Sequence, residues 1–184
     1  MLVGVKVGVR LRKSSGVLDV FFNPPANEII SKHRISGMNY HATKLSEVNP
    51  ELTDKLRRYC YDVIGCCQVV HRELGPYLNE YMYQDALEIV FKEKQIAHQR
   101  EHYFTIDFHG QHIKHRHYVD FLVKDKVYVE CKAIENLGSE QRQQLWNYMR
   151  LTNVRIGILY NFAPVKDQCE RYYLDTATNQ MHAF

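Results

Sequence analysis

The chain has 184 residues, of which 45% are apolar and 24% are charged, and its formal net charge is +3. This balance is typical of one globular domain with a buried core, and the charge is too weak to indicate a nucleic-acid partner on its own. No apolar run approaches the length of a membrane span, so we expect no membrane partner. The five cysteines form no CxxC pair and no even framework, so we expect reduced thiols in a cytoplasmic protein.

Residues 1–50 differ from the rest of the chain. The first 18 residues carry four basic side chains and no acid, and a stretch with two prolines and little periodicity follows. Three explanations remain open: an N-terminal strand, a flexible and disordered basic arm, or an extension of the gene ahead of a true start at Met38. We treat 1–50 as an extension without assigned function and 51–184 as the domain.

From residue 50 the spacing of apolar residues predicts seven elements in the order α-α-β-β-β-α-β. In chain order they are a helix at about 53–73 capped by Asn49 or Thr53, a helix at 79–94 after Gly75-Pro76, strands at 98–108, 113–123 and 127–133, a helix at 139–151 with Ser139 as its N-cap, and a strand at 154–162. After residue 164 we predict only a short amphipathic segment with a polar end.

The predicted hairpin at 118–133 carries charged residues among apolar ones. If its turn is 124–126, Asp120 faces Glu130 across the two strands, and Lys132 shares their face because it lies two residues beyond Glu130. A two-residue turn would instead put the two acids on opposite faces. With the longer turn, the other face is apolar and carries Val119, Phe121, Val123, Val127, Val129, Cys131 and Ala133.

Two facing carboxylates repel each other unless a cation lies between them or one of them is protonated. Mg²⁺ takes few carboxylates and completes its shell with waters and phosphate oxygens. A neighbouring lysine can orient or deprotonate a water and can offset developing phosphate charge. Asp120, Glu130 and Lys132 therefore indicate metal-dependent phosphodiester hydrolysis. A solvated sheet face with a surface ion pair is the simpler alternative, and both remain open.

Two one-turn pairs on the helices are further candidates. Glu80 begins the second helix, and Tyr83 follows one turn later. An acid in the first turn is also explained by its favourable interaction with the helix dipole. Tyr83 is also explained as a core residue, because its spacing from Leu87 is that of a buried helix face. Gln144 and Tyr148 form a similar pair on the third helix. Taken alone, Gln144 is explained as a solvated residue and Tyr148 as a core residue.

Four histidines lie between residues 109 and 117, in the sequence HGQHIKHRHY. We considered a zinc site, but no cysteine or acid completes a ligand set. We favour simply exposed histidines or a basic rim; as a rim with Lys114 and Arg116 they could line a nucleic-acid path, to which Arg142 and Arg150 would add.

In order and spacing, these pieces resemble the small GxxExxY proteins of the PD-(D/E)XK nuclease-like superfamily. The likeness runs from about residue 52 to 164 and is carried by VVHRELGP at 69–76, Glu80 with Tyr83, DFLV at 120–123, VECKA at 129–133, QLWNY at 144–148 and GILYNF at 157–162. It implies a restriction-endonuclease-like α/β core in which a mixed central sheet is flanked by helices.

The resemblance also implies roles for individual residues. It makes Asp120 and Glu130 the acids that bind Mg²⁺ or Mn²⁺, and it makes Lys132 the catalytic lysine. Glu80 matches a helix glutamate near the metal. These four residues would form the catalytic set of a nuclease.

Gln144 and Tyr148 match the Q-x-x-x-Y motif that helps to place DNA in the exonuclease-like branch. The chain departs from the pattern at Tyr77, where the family has glycine, and at Val119, where many relatives have proline. Tyr77 fits there if the backbone can adopt a negative φ, so the departure bears on the local turn more than on the chemistry.

We therefore expect a metal-dependent nuclease acting on nucleic acid, with DNA favoured over RNA. The alternative is a catalytically silent nuclease fold that binds nucleic acid or a protein partner. The intact Asp-Glu-Lys set favours the first, whereas the weak charge and small size favour the second. A homodimer or an accessory protein would help so small a nuclease to span a duplex.

Overall fold

A computed structural model describes residues 41–184, so the predictions for the chain before them, including a start at Met38, lie outside the described residues. The elements are β1 (Thr43–Lys44), α1 (Leu45–Val48), α2 (Pro50–Leu74), α3 (Glu80–Glu93), β2 (His98–Phe104), β3 (Asp107–Phe108), β4 (Gln111–His112), β5 (His117–Val123), β6 (Val127–Lys132), α4 (Ser139–Thr152), β7 (Ile156–Asn161), β8 (Gln168–Asp175) and β9 (Gln180–Ala183).

The helices begin and end at residues suited to capping. The Asn49 side chain accepts a hydrogen bond from the backbone N–H of Leu52 at 3.0 Å, and α2 stops at Gly75, whose φ is 69°. The N-cap of α4 is Gly138 and not Ser139 as we predicted. The Gly138 N–H donates to the side chain of Gln141 at 3.0 Å, so the third residue of the helix satisfies the N–H of the N-cap residue.

Seven strands form one mixed sheet in the order β1-β9-β8-β7-β6-β5-β2. β1 runs parallel to β9 and β6 parallel to β7, and the other neighbours are antiparallel. β3 and β4 form a separate two-stranded ribbon. The mixed sheet with flanking helices confirms the predicted α/β fold class. No helix between residues 41 and 184 is long and apolar enough to cross a membrane.

Two hydrophobic cores cover the two faces of the sheet. The first packs α2 and α3 against residues such as Phe121, Val129 and Ile158. The second packs α4 against Leu122 and Tyr128 among others. Because β5, β6 and β7 contribute to both cores, their side chains are buried on both faces, which explains their nearly continuous apolar sequences.

The end of the chain folds differently from our prediction. β8 and β9 extend the sheet where we predicted an amphipathic segment. The first half of β8, QCER, is half-buried at every position, so its sequence lacks the alternation of apolar and polar residues that marks a strand. Its pairing with β7 supplies the stabilisation that the local sequence does not indicate.

Residues 41–50, which we assigned to the N-terminal extension, contribute β1 and α1. The Thr43 hydroxyl lies 2.7 Å from Nδ1 of His182 on β9, and Leu45 is buried in the core beneath α2 and α3. This part of the predicted extension therefore packs on the domain.

Candidate active site

The β5–β6 hairpin has the register that we predicted for a three-residue turn. Phe121 lies opposite Val129 and Val123 opposite Val127. Lys124 and Asp125 both have positive φ in the turn, and the N–H of Lys126 donates to the carbonyl of Val123 at 3.1 Å. This turn brings the acidic and basic side chains of the two strands toward each other.

Strand pairing is interrupted at Asp120. β2 and β5 pair on both sides of Glu101 and Asp120, but these two residues do not pair with each other, and Glu101 has a φ of 49°. On its other side β5 pairs with β6 only as far as Phe121. Asp120 thus occupies a break in the ladder on both sides.

The break also reverses which side chains face which core. Arg100 contacts Glu88 of α3, whereas His102, two residues further, lies beside the ring of Tyr128 on the α4 side. In a regular strand these two residues would share a face. Our prediction that Val119 shares an apolar face with Phe121 is wrong for the same reason, because Val119 lies in the core beneath α4.

The carboxylate of Asp120 uses the gap in the ladder. Its Oδ2 accepts a hydrogen bond from the backbone N–H of Cys131 on β6 at 2.7 Å. The Asp120 side chain therefore accepts the hydrogen bond that a backbone carbonyl would accept in a regular strand pair. This bond holds the carboxylate against β6 next to Glu130.

Glu130 and Lys132 form an ion pair on β6. Lys132 Nζ lies 2.9 Å from Glu130 Oε1. Glu130 is 3% exposed, and its second oxygen, Oε2, is buried without a hydrogen-bond partner among residues 41–184. A buried carboxylate oxygen without a partner is costly, so this atom is a ready ligand for a cation.

Burial and mutual repulsion perturb the two acids. Burial and the charge of Glu130 raise the pKa of Asp120 to about 7, although the N–H of Cys131 opposes the shift. Burial also raises the pKa of Glu130, and Lys132 only partly offsets it. Burial opposes the charge of Lys132, but Glu130 outweighs it and raises the pKa of the lysine. The site therefore holds more negative charge than one lysine neutralises.

Glu80, the first residue of α3, is the third acid near this site. Its charge contributes to the raised pKa values of Asp120, Glu130 and Lys132. Gln84 is buried one turn further and its Nε2 lies 3.5 Å from Glu80 Oε1. We assigned Gln84 no role from the sequence, although its spacing of four residues from Glu80 indicates the contact.

Tyr83 fixes the turn that leads into α3. Its hydroxyl donates to the carbonyl of Gly75 at 2.7 Å and accepts from the N–H of Leu78 at 3.2 Å, while its ring stacks on Phe162 with centroids 4.8 Å apart. Within this turn Tyr77 has a φ of 73°, so the condition of a negative φ, under which a tyrosine fits easily, is not met. The backbone needs the left-handed conformation that glycine adopts easily.

Gln144 and Tyr148 lie together on α4. Nε2 of Gln144 donates to the Tyr148 hydroxyl at 3.0 Å, and the Tyr148 ring packs edge-on against Phe104 at 5.3 Å. It also lies 5.9 Å from the ring of His117. Within residues 41–184, these side-chain contacts join the pair to the ends of β2 and β5 and not directly to the acids.

The histidine-rich segment at 109–117 was our candidate for a zinc site and for a basic rim. No group of three or more metal-ligating side chains is present within residues 41–184. Of the basic residues that we added to the rim, Arg142 is bound by both oxygens of Glu170 at 2.6 and 2.8 Å, and Arg150 is buried. The prediction that Arg150 lines a nucleic-acid path is therefore wrong, and for Arg142 it stays a prediction.

The donors at the hairpin fit a hard divalent cation. Asp120 and Glu130 provide oxygen ligands side by side, and Glu130 Oε2 has no hydrogen-bond partner among the described residues. A metal held by two carboxylates would complete its shell with water and substrate oxygens, as Mg²⁺ commonly does. A cavity of about 690 Å³ lies elsewhere, on the outer side of α2 near Arg57, Lys94 and Arg171, and does not include these acids.

Comparison with known protein families bears on this geometry. The family profile of the PD-(D/E)XK nuclease superfamily matches residues 57–172, which extend from α2 into β8 and include all six predicted site residues. Comparison with curated proteins and with solved structures found no match. Nucleases of the superfamily generally use divalent metals. The family match covers well over half of the chain, and the chain therefore belongs to the PD-(D/E)XK nuclease superfamily.

Proposed function

We propose that this protein is a divalent-metal-dependent nuclease of the GxxExxY type that hydrolyses phosphodiester bonds of nucleic acid, with DNA favoured over RNA. The observation that carries the proposal is the pair of neighbouring carboxylates of half-buried Asp120 and buried Glu130, of which Glu130 keeps one oxygen without a hydrogen-bond partner within residues 41–184. Two such acids beside a single lysine lack one positive charge.

Asp120 and Glu130 would hold Mg²⁺ or Mn²⁺. When bound, the metal supplies a polarised phosphoryl oxygen and a water of lowered pKa. The Cys131 N–H keeps the Asp120 carboxylate oriented, and Lys132 does the same for Glu130. The protein thereby supplies two ligands that need little rearrangement when the cation binds.

Lys132 would act as a cation. The pKa of its ammonium group is raised by the adjacent Glu130, so it stays protonated at neutral pH. A protonated lysine orients the attacking water and offsets charge on the phosphate, and it does not remove a proton from the water. Glu80 and its partner Gln84 would support the site from α3, and Gln144 with Tyr148 would position the substrate from α4.

The experiment that tests the proposal is a cleavage assay on labelled single- and double-stranded DNA and RNA. Wild type and Lys132→Ala are compared with Mg²⁺, with Mn²⁺ and with EDTA. We expect metal-dependent cleavage that falls by at least about a hundredfold in the variant, because the cationic group at the phosphate is lost. Lys166→Ala, which removes an exposed lysine before β8, is the matched control and should cleave like wild type.

A catalytically silent module is the second candidate. It is favoured by the finding that, over residues 41–184, no three metal-ligating side chains form a group, and that Lys132 already neutralises Glu130 in part. A folded protein that binds nucleic acid or a protein partner, but shows no cleavage with either metal, would support this candidate. Measuring mass in solution with and without nucleic acid would test for the proposed homodimer.

A further inference from the structure

Two exposed tyrosines stand side by side where β2 and β5 end. Tyr103 and Tyr118 are opposite each other in the antiparallel pair, their ring centroids are 6.2 Å apart, and the rings are inclined by 52°. They are 52% and 50% exposed. We refer to Tyr103 and Tyr118 as the tyrosine pair.

The tyrosine pair takes no part in either core. The neighbouring pair, Phe104 and His117, faces α4 and packs against Tyr148. By strand alternation the tyrosine pair faces the opposite way. About half of each ring remains exposed on this face, beside the edge strand β2. Large exposed aromatic side chains on a sheet edge usually mark a binding surface.

The surroundings of the tyrosine pair are positively charged. The guanidinium of Arg116 lies 4.6 Å from the ring centroid of Tyr103. Residues 107–119 also contain Lys114 and four histidines, of which His112 is paired with the carboxylate of Asp107. β2 contributes one carboxylate, the exposed Glu101. Aromatic faces combined with cations suit a ligand that has both flat bases and phosphates.

The tyrosine pair lies close along β5 to the candidate active site. Tyr118 and Asp120 lie two residues apart on β5, which corresponds to about 7 Å along a strand. A nucleotide stacked on the tyrosine pair would therefore have its backbone near the proposed metal acids.

We propose that the tyrosine pair is a base-stacking platform and that the substrate is an unpaired stretch of nucleic acid. The inference rests on the proposed nuclease function and adds the substrate class. A base inside a duplex has both faces covered by its neighbours, whereas an unpaired base can stack on a tyrosine ring. Arg116 and Lys114 contact the phosphates on either side of the stacked base.

The test is fluorescence anisotropy of labelled oligonucleotides of about 12 nucleotides with the full chain in EDTA. The probes are oligodeoxyuridylate, oligouridylate, an abasic DNA strand and a DNA duplex. We expect the abasic strand and the duplex to bind about tenfold more weakly than the better of the two base-containing single strands. A preference between these two strands identifies the sugar that the site accepts.

Variants test the tyrosine pair directly. Tyr103→Ala with Tyr118→Ala should weaken single-strand binding about tenfold or more, while the double phenylalanine variant keeps the rings and should bind like wild type. Tyr61→Ala removes an exposed tyrosine from α2 and is the matched control. Equal binding of abasic and base-containing strands, or wild-type affinity of the double alanine variant, would overturn the platform.

Binding and cleavage separate the two proposals. Tyrosine-dependent binding without cleavage in any metal overturns the nuclease and retains the platform. Metal-dependent cleavage of duplex DNA that the double alanine variant performs normally overturns the platform and retains the nuclease.

Discussion

At the scale of the residue, the clearest feature is that Asp120 is held in a charged site before any metal is bound. Its carboxylate is fixed by the Cys131 N–H and lies beside Glu130. Burial of two adjacent acids with one lysine destabilises the ionised, metal-free protein. This electrostatic strain is what a bound cation would remove.

Asp120→Asn should therefore stabilise the metal-free protein above neutral pH. The pKa of Asp120 rises from an ordinary value of 3.8 to about 7 on folding. Below about pH 4 the group is protonated in both states; between pH 4 and 7 the unfolded chain ionises first, so stability falls as pH rises. We expect Asn, which still accepts from Cys131, to reduce that fall, because only the contribution of Glu130 remains, and to gain on the order of 2 kcal/mol at pH 8.

Urea unfolding in EDTA from pH 4 to pH 8 measures the effect of Asp120→Asn. Asp54→Asn, an exposed change on α2, is the control and should keep the wild-type pH dependence. Parallel pH profiles for wild type and Asp120→Asn would contradict the proposed repulsion.

Tyr77 is a second residue that lowers the stability of the fold, through its backbone conformation. It has a φ of 73° and is 86% exposed, so it gains little packing in return for a left-handed backbone. Tyr77→Gly should raise the free energy of unfolding by about 1 kcal/mol, because the relieved strain exceeds the added entropy of the unfolded glycine. Tyr81→Gly, on the exposed side of α3, should lower it by about 1 kcal/mol. Thermal unfolding of both variants checks the opposite signs.

At the scale of the element, Gly157 allows α4 to lie directly on β7. A methyl group at this position would come within 2.5 Å of Met149 Sδ and 3.1 Å of Leu145 Cδ2. The absence of a side chain thus determines how closely the helix that carries Gln144 and Tyr148 approaches the sheet.

Gly157→Ala should lower the free energy of unfolding by about 1–3 kcal/mol, because the core beneath α4 becomes overpacked. Gly65→Ala is the matched change in α2, where no atom lies within 4 Å of the added methyl group. It should raise stability by up to about 1 kcal/mol, as alanine does in a helix. Denaturant unfolding of the two variants measures both changes in the free energy of unfolding. Equal changes in the two variants would contradict overpacking beneath α4.

At the scale of the whole molecule, the candidate site is assembled from three elements at one end of the sheet. β5 contributes Asp120, β6 contributes Glu130 and Lys132, and α3 contributes Glu80. Both cores must form before these four side chains come together. Metal binding should therefore be linked to global folding.

Mg²⁺ or Mn²⁺ should raise the melting temperature of the wild-type protein. At a metal concentration of about 100 times Kd the gain is about 2.7 kcal/mol, which for a chain of this length corresponds to roughly 5–10 °C. Asp120→Asn should lose most of this shift, because one of the two ligands becomes neutral. An equal metal-dependent shift in Asp54→Asn and Asp120→Asn would contradict metal binding at the hairpin.

Features that depend on neighbouring residues were predictable from the sequence. The caps of α2, the three-residue turn of the hairpin and the resulting register follow from local backbone preferences and from side-chain alternation. The nearness of Glu130 to Lys132 follows from their spacing on one strand. Prediction from local sequence was less successful at the C-terminus, where β8 is stabilised by pairing with β7.

By itself the sequence determined the α/β class, the helix and hairpin positions and the superfamily resemblance, because these reside in short-range patterns. Only the tertiary structure decided the ladder break at Asp120, the movement of Val119 to the other core, the burial of Gln84 and the left-handed backbone of Tyr77. The physical reason is that these features depend on which surfaces meet. Backbone strain and unpaired strand groups persist only where packing from distant elements offsets their cost.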